Sequence, residues 1–144
     1  RIAEAILSFS PDNNRSQAVK TERNRLVVDC YNANPSSMEV ALDNIATMEA
    51  EQKVLILGDM LELGEWSHKE HCHILESALT IEGAEIFTVG THFRKAAEAI
   101  VADVKCFDNT SALGEYLTIN TLAGRTILLK GSRGIALEKI IEKL

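Results

Sequence analysis

The feature that most constrains the fold is an alternation of short apolar runs with longer amphipathic stretches. The short runs are rich in valine, isoleucine and leucine, which is typical of buried strands. Between them, apolar residues recur with the spacing of one helix face. The alternation predicts an α/β fold with a Rossmann-like, mostly parallel sheet covered by helices on both faces. The runs lie at 26–28, 54–57, 86–89, 104–107 and 126–129.

A second extended segment precedes the first apolar run. Residues 16–20 and 25–29 flank a short polar sequence, a pattern that predicts a hairpin. We therefore expect about six strands, with one antiparallel strand at the edge of the sheet.

The chain divides unequally on this interpretation. Residues 1–25 contain a short predicted helix, an interdomain linker and the start of the hairpin, and residues 26–144 form one Rossmann-like domain. The final stretch is predicted to be a helix whose apolar face carries Leu137, Ile140, Ile141 and Leu144.

Composition excludes some classes of protein. The 144 residues suffice for one domain with a core, and the net charge of −6 argues against a nucleic-acid partner, which needs a basic face. Three scattered cysteines favour reduced thiols and a cytoplasmic protein. No apolar run approaches the roughly 20 residues of a membrane span. The chain begins without Met, so we expect a piece of a longer protein.

The polar turn after the first predicted parallel strand is the leading candidate for a ligand site. In α/β sheets, ligands bind at the carboxyl ends of the strands. Asp29 could accept two hydrogen bonds, for example from a ribose diol, and Asn32 and Asn34 can both donate and accept. The same residues also fit ordinary turn chemistry ahead of a helix.

Two helix starts carry the spacing of a capping box. Ser36 and Glu39 predict one box at the first helix, and Ser67 and Glu70 predict another at the second.

Two further polar loops follow predicted strands and should lie at the same edge of the sheet. Residues 58–64 alternate acidic and apolar side chains, and the apolar ones need a surface of this domain or of a neighbouring domain to pack on. Residues 131–134 could hold an anion on backbone N–H groups and Arg133, or form a glycine turn with a solvated arginine.

Other catalytic patterns are missing from the sequence. Neither GxxxxGK[ST] nor GxGxxG is present, so the chain cannot cradle a triphosphate in the usual way, and no GxSxG elbow indicates a nucleophile. His68, His71, Cys72 and His73 lie close together in the sequence. His68 and His71 are spaced to share a helix face, but His73 points elsewhere and there is no second cluster of ligands, whereas zinc sites need three or four converging ligands. We interpret this cluster as an exposed polar helix start and predict no metal site and no catalytic residue.

Three of these stretches together resemble the C-terminal domain of the Mur ligases of peptidoglycan synthesis. They are DCYNANPSSM at 29–38, LGDMLELG at 57–64 and LKGSRG at 129–134. The resemblance covers nearly the whole chain and is to the branch that adds D-Ala-D-Ala to UDP-N-acetylmuramoyl-tripeptide. It implies a three-domain enzyme whose UDP-binding and central ATPase domains are not in this sequence, so the chain alone should be inactive.

The resemblance also implies chemistry and partners. The reaction is ATP-dependent amide formation, with Mg²⁺ held mainly by the central domain, which this domain closes over. ATP, D-Ala-D-Ala, the UDP-linked tripeptide and the central domain are the implied partners. The implied site residues are Asp29, Asn32, Asn34 and Arg15 for the nucleotide, Lys130, Ser132 and Arg133 for the incoming substrate, and Asp59 and Glu62 without an assigned role.

Two alternatives from other classes remain open at this point. A signalling receiver domain would place acids, a threonine and a lysine at strand ends, as Asp29, Asp59, Thr88 and Lys130 do loosely. A receiver usually has paired acids after its first strand, and here Cys30 follows Asp29. The third class is a non-catalytic Rossmann-like binding module.

Overall fold

The structure, a computed structural model, describes residues 17–29, 33–50 and 52–144. Arg15, Asn32 and the helix predicted near the N-terminus lie outside these ranges. The division of the chain at residue 25 therefore remains a prediction.

The described ranges contain one six-stranded sheet with four α-helices and three 3-10 segments. The strands are β1 (Gln17–Lys20), β2 (Arg25–Asp29), β3 (Lys53–Gly58), β4 (Glu85–Val89), β5 (Lys105–Phe107) and β6 (Thr126–Lys130). The helices are α1 (Pro35–Thr47), α2 (Ser67–Leu79), α3 (Thr91–Ile100) and α4 (Thr110–Ile119), and the 3-10 segments are Gly64–Trp66, Arg133–Ile135 and Leu137–Lys143.

The sheet confirms the predicted architecture. Its order is β1-β2-β6-β3-β4-β5, with β1 antiparallel to β2 and the other pairings parallel. The last strand is inserted between β2 and β3, and all five of its residues are buried. The register sets Lys130 beside Asp29 on one side and beside Leu57 on the other.

Helices cover both faces of the sheet. Successive strand residues point to opposite sides, so each strand contributes apolar side chains to both layers. Leu55 and Leu57 join the apolar cluster under α1, α2 and α3, whereas Val54 and Ile56 join the cluster under α4 and the last 3-10 segment. No helix within the described ranges is long and apolar enough to cross a membrane.

The start of α1 differs from the prediction. Asn34, not Ser36, is the N-cap: its Oδ1 accepts the N–H of Ser37 at 2.9 Å, and Ser37 Oγ accepts the N–H of Asn34 at 3.1 Å. The predicted box between Ser36 and Glu39 is wrong because Pro35, which lacks an N–H and has a helix-compatible φ, occupies the first helical position.

The start of α2 also differs. A 3-10 turn leads directly into this helix, so the cap residue Trp66 has helical angles (φ −82°, ψ −6°) and no side-chain cap bond forms. A capping box needs an extended N-cap, so the predicted pair of Ser67 and Glu70 does not form one. Ser67 Oγ instead lies 3.3 Å from His71 Nδ1.

Two apolar predictions need correction as well. The last segment is a 3-10 helix; Leu137 and Ile140 within it and Leu144 directly after it are buried as predicted, and Ile141 is partly buried. The spacing of Phe93, Ala96, Ala97, Ile100 and Val101 predicts one apolar helix face, but α3 ends at Ile100, and Val101 is left-handed (φ 54°) and 88% exposed.

The cap of α1 gives a stability prediction. Replacing Asn34 with Ala should lower the free energy of unfolding by about 1 kcal/mol, whereas Asn34→Ser should retain most of it. Urea denaturation measures both. Asn44→Ala inside the same helix is the matched control and should cause no loss, since Ala is the better helix former. Equal stability of Asn34→Ala and the wild-type chain would contradict the capping role.

Candidate functional site

A buried ion pair lies at the carboxyl edge of the sheet, where β2 and β6 end. Lys130 Nζ is 3.1 Å from Asp29 Oδ1, and the two side chains are 1% and 12% exposed. Side-by-side pairing of the two residues in the parallel register brings these groups together. Asp29 is therefore a carboxylate whose orientation is set by a cation behind it, with a small part of its surface open to solvent.

Asp59 anchors the start of α3. Its Oδ2 accepts the N–H of His92 and its Oδ1 accepts that of Phe93, both at 2.9 Å. A carboxylate at this position satisfies free N–H groups and matches the positive end of the helix dipole. Gly90 has a φ of 120°, and a Cβ there would lie 2.3 Å from the carboxylate, so this approach requires glycine. Asp59 therefore caps the start of α3, a structural role that its sequence motif did not indicate.

The loop after β3 and the loop after β6 are bonded to each other. Ser132 donates its N–H to the carbonyl of Asp59 at 3.1 Å, and Ser132 Oγ accepts the N–H of Leu61 at 2.9 Å. A Cβ on Gly131 would lie 2.8 Å from the Cα of Gly58, so the two backbones come too close for a side chain. The predicted anion cradle in this loop cannot use the Ser132 N–H, because that group is already bonded.

The apolar residues of the 58–64 loop pack mainly on their own domain. Met60 is fully buried, and Leu63 is partly buried against the cluster under α1 to α3. Leu61 remains 38% exposed, and Glu62 is exposed with a left-handed backbone (φ 68°). Arg133, in the partner loop, is also exposed. Glu62 and Arg133 are thus the charged groups that these two connected loops present to solvent.

His71 is the main residue that sequence reasoning misplaced. The prediction of an exposed polar helix start is wrong for it, since it is 0% exposed. The available signal was its spacing with Ile74, Leu75 and Ala78, which together form the buried stripe of α2. Burial lowers the pKa of His71 below its ordinary value, although the Ser67 carbonyl and the Asp59 carboxylate act in the opposite direction. Within the described ranges no three His, Cys, Asp or Glu side chains are grouped to hold a metal.

Of the residues predicted to contact the nucleotide, two lie within the described ranges. Asp29 is in the ion pair, and Asn34 uses its Oδ1 in the helix cap, which leaves its side-chain NH₂ pointing away from that bond as a donor. Arg15 and Asn32 lie outside the described residues.

A groove of about 510 Å³ lies at the opposite edge of the sheet. It is lined by the β1–β2 turn and by the segments that lead into β3 and β6, among them Lys20, Arg25 and Arg125. None of the predicted site residues within the described ranges lines it, so these residues and the groove are separate features.

Comparison with known proteins identifies the class. The family model of the Mur ligase glutamate ligase domain matches residues 14–133, and the chain therefore belongs to this family of Mur ligase C-terminal domains. It is similar to the UDP-N-acetylmuramoyl-tripeptide–D-alanyl-D-alanine ligase of Buchnera aphidicola subsp. Acyrthosiphon pisum, with 36% identity over 147 residues, covering 100% of this chain and 32% of that protein.

Two further similarities support the same family assignment. The ligase of the same name from Rickettsia prowazekii is 29% identical over 142 residues, covering 97% of this chain and 32% of that protein. A crystal structure of MurF from Acinetobacter baumannii superposes with a TM-score of 0.79 at 25% identity, covering 95% of this chain and 31% of that one. The chain therefore spans about a third of the length of the relatives that it matches.

The receiver alternative is wrong. In flavodoxin-like sheets of the receiver type, whose order is 2-1-3-4-5, the last strand lies at an edge. Here β6 lies in the interior between β2 and β3. In addition, Asp59 is 2% exposed with both oxygens bonded to backbone N–H groups, so it does not present a phospho-acceptor oxygen.

The buried ion pair gives a second prediction. Lys130→Met should lower the free energy of unfolding by about 3 kcal/mol, because it leaves the Asp29 carboxylate buried without its cation. The double variant Asp29→Asn/Lys130→Met should recover most of that loss. Chemical denaturation of Lys130→Met, Asp29→Asn and the double variant measures the three free energies of unfolding. Additive losses in this cycle would show that the pair is not coupled.

Proposed function

We propose that this chain is the C-terminal domain of an ATP-dependent ligase that adds D-Ala-D-Ala to UDP-N-acetylmuramoyl-tripeptide. One observation carries the proposal: in a chain of the Mur ligase family, described residues of all three motifs lie at the carboxyl edge of one mostly parallel sheet, where Asp29 pairs with Lys130 and Ser132 bonds Leu61. The names of the relatives, which cover its length almost completely, support the choice of substrate.

The reaction would proceed in two steps. ATP transfers its γ-phosphoryl group to the tripeptide carboxylate, and the amine of D-Ala-D-Ala then attacks the acyl phosphate, forming the amide and releasing phosphate. The acyl phosphate is sensitive to water, so closure of this domain over a central ATPase domain would protect it. We place the linker for that closure within residues 1–25 and the domain body within 26–144. ATP as the energy source fits a cytoplasmic reaction.

Neither Asp29 nor Asp59 suits the Mg²⁺ that accompanies ATP. Magnesium requires oxygen ligands in a near-octahedral arrangement. Asp59 has both oxygens bonded to N–H groups, and Asp29 is paired with Lys130. We therefore assign the magnesium ligands mainly to the central domain.

We assign the nucleotide to the end of β2. The Lys130 ammonium fixes Asp29 and offsets its charge, so the carboxylate can accept ribose hydroxyls with less repulsion of the nearby phosphates. The Asn34 side-chain NH₂ can donate to the same ligand. Arg15 and Asn32 keep the nucleotide-binding roles that the family resemblance implies.

We assign the carboxylate of D-Ala-D-Ala to Arg133. Arg133 is an exposed residue at the start of a 3-10 turn, directly after Ser132, whose backbone and side chain are both hydrogen-bonded. A guanidinium binds a carboxylate through two parallel hydrogen bonds. Lys130 is too deeply buried for the direct substrate contact that the resemblance implies, so its role is to orient Asp29. Ser132 fixes the loop and retains only its O–H as a donor for substrate.

The absence of a phosphate-binding loop gives a third prediction. This chain alone should neither hydrolyse ATP nor ligate the dipeptide. With ribose and base contacts only, ATP should bind no better than about 1 mM, or roughly −4 kcal/mol. Isothermal titration calorimetry tests this, and micromolar binding would contradict the proposed division of roles between the domains.

Arg133 gives the fourth prediction, in the full-length ligase. Arg133→Ala should reduce kcat/KM for D-Ala-D-Ala by about 10–100-fold, corresponding to roughly 1.5–3 kcal/mol, while the KM for ATP changes much less. Arg133→Lys should recover only part of the loss, because a point charge cannot replace the planar fork.

Arg25→Ala is the matched control for this experiment, because Arg25 is exposed at the opposite edge of the sheet. It should leave the kinetics unchanged. Equal damage for all three substrates in Arg133→Ala, together with a lower melting temperature, would identify Arg133 as a structural residue instead.

A further inference from the structure

The hydrogen bonds of His71 define its protonation state. Its Nδ1 lies 2.7 Å from the carbonyl oxygen of Ser67, which can only accept, so Nδ1 carries the hydrogen. Its Nε2 lies 2.9 Å from the backbone nitrogen of Met60, which can only donate, so Nε2 has a free lone pair. Both bonds exist together only in the neutral Nδ1–H tautomer.

The surroundings of His71 are largely apolar but include charged and titratable groups. The ring of Phe93 meets it edge-on at 4.6 Å, and the ring of His92 stacks on it at 5.1 Å. Asp59 Oδ1 is 4.0 Å from Nε2, although both Asp59 oxygens are bonded to the start of α3. His68, one turn earlier on α2, also lowers the pKa of His71, in the same direction as burial.

The bond from Met60 to His71 belongs to a continuous series. The N–H groups of Asp59, Met60 and Leu61 donate in turn to Val89 of β4, to His71 of α2 and to Ser132 after β6. Each of these three consecutive residues is thus bonded to a different element. Arg133 follows Ser132 directly, so the geometry of the candidate dipeptide site depends on this loop.

We propose that neutral His71 is a positioning residue, which fastens the loop after β3 through Met60 and so holds Ser132 and Arg133 in place for the incoming dipeptide. The kinetic part of this inference rests on the proposed function, whereas the loop geometry does not. Protonation would turn Nε2 into a donor. It would then face the Met60 N–H, which is also a donor, and the bond between them would break. The loop should therefore loosen in acid while the sheet stays intact.

The first test uses this chain alone. Amide hydrogen exchange, followed by NMR as protection factors between pH 5 and pH 8, should show Met60 at least tenfold less protected at the acidic end. His71→Gln should keep Met60 protected and remove the pH dependence, because a neutral amide oxygen can still accept the N–H. His71→Leu keeps apolar bulk without an acceptor and should leave Met60 poorly protected at every pH.

Stability supplies a second readout of the same chain. The unfolded chain binds a proton at His71 more readily than the folded chain, whose pKa is lowered. Stability from this group is therefore complete above about pH 6.5 and is lost as pH falls towards the folded pKa, by at most about tenfold in the folding constant per pH unit. This component should disappear in His71→Gln. It should persist in His73→Gln, the matched control on the same helix, where the exposed His73 pairs with Glu39.

The last test uses the full-length ligase. His71→Leu should raise the KM for D-Ala-D-Ala by about tenfold with a smaller effect on ATP, and His71→Gln should restore it. Met60 protection that is independent of pH in the wild-type chain would overturn the loop role. Intact loop behaviour with uniform losses for all substrates would overturn the positioning role. Intact loop behaviour in a full-length protein without ligase activity would overturn the proposed function instead.

Discussion

The fold depends on Asp59, because its backbone and side chain join four separate elements. Its carboxylate holds the start of α3, its N–H bonds β4, and its carbonyl accepts from the loop after β6, while the residue itself follows β3. Gly90 makes this possible, since any side chain there would collide with the carboxylate. Hydrogen bonds from four elements therefore position the carboxyl edge of the sheet at Asp59.

The sequence was sufficient for the architecture but not for several local details. Residue periodicity depends on which face of an element is buried, so it predicted the six strands and both helical layers. The cap of α1 was misassigned because two overlapping patterns compete locally, and Pro35 decides between them by its geometry. The burial of His71 depends on α3, which brings Phe93 and His92 against it from more than twenty residues away.

For the candidate site, the position of the motif loops could be predicted from the sequence, but the partners of their polar groups could not. The motif loops do lie at one edge of the sheet, as expected for parallel strands, and Asp29 and Lys130 meet there. Which of the polar groups are already used by the protein could not be read from spacing. Lys130 and Ser132 are predicted to face substrate; in the structure Lys130 forms an ion pair with Asp29, and Ser132 bonds the loop after β3 through its N–H and its Oγ. Arg133 remains as the exposed cation of its loop.

Two buried acceptors of different charge hold the 58–64 loop: Asp59 within it, which accepts from α3, and His71 of α2, which accepts from Met60. The difference in charge follows from the donors that each one meets. Asp59 receives two N–H groups at the positive end of a helix, an environment that stabilises an ionised carboxylate. His71 receives a single N–H beside aromatic rings, where a second negative charge would be costly to bury. A neutral imidazole supplies one lone pair without that cost, and its other nitrogen is satisfied within its own helix. Because His71 is neutral, its bond to Met60 is a contact of this loop that protonation in acid can break, and burial shifts that protonation below the ordinary pKa of histidine.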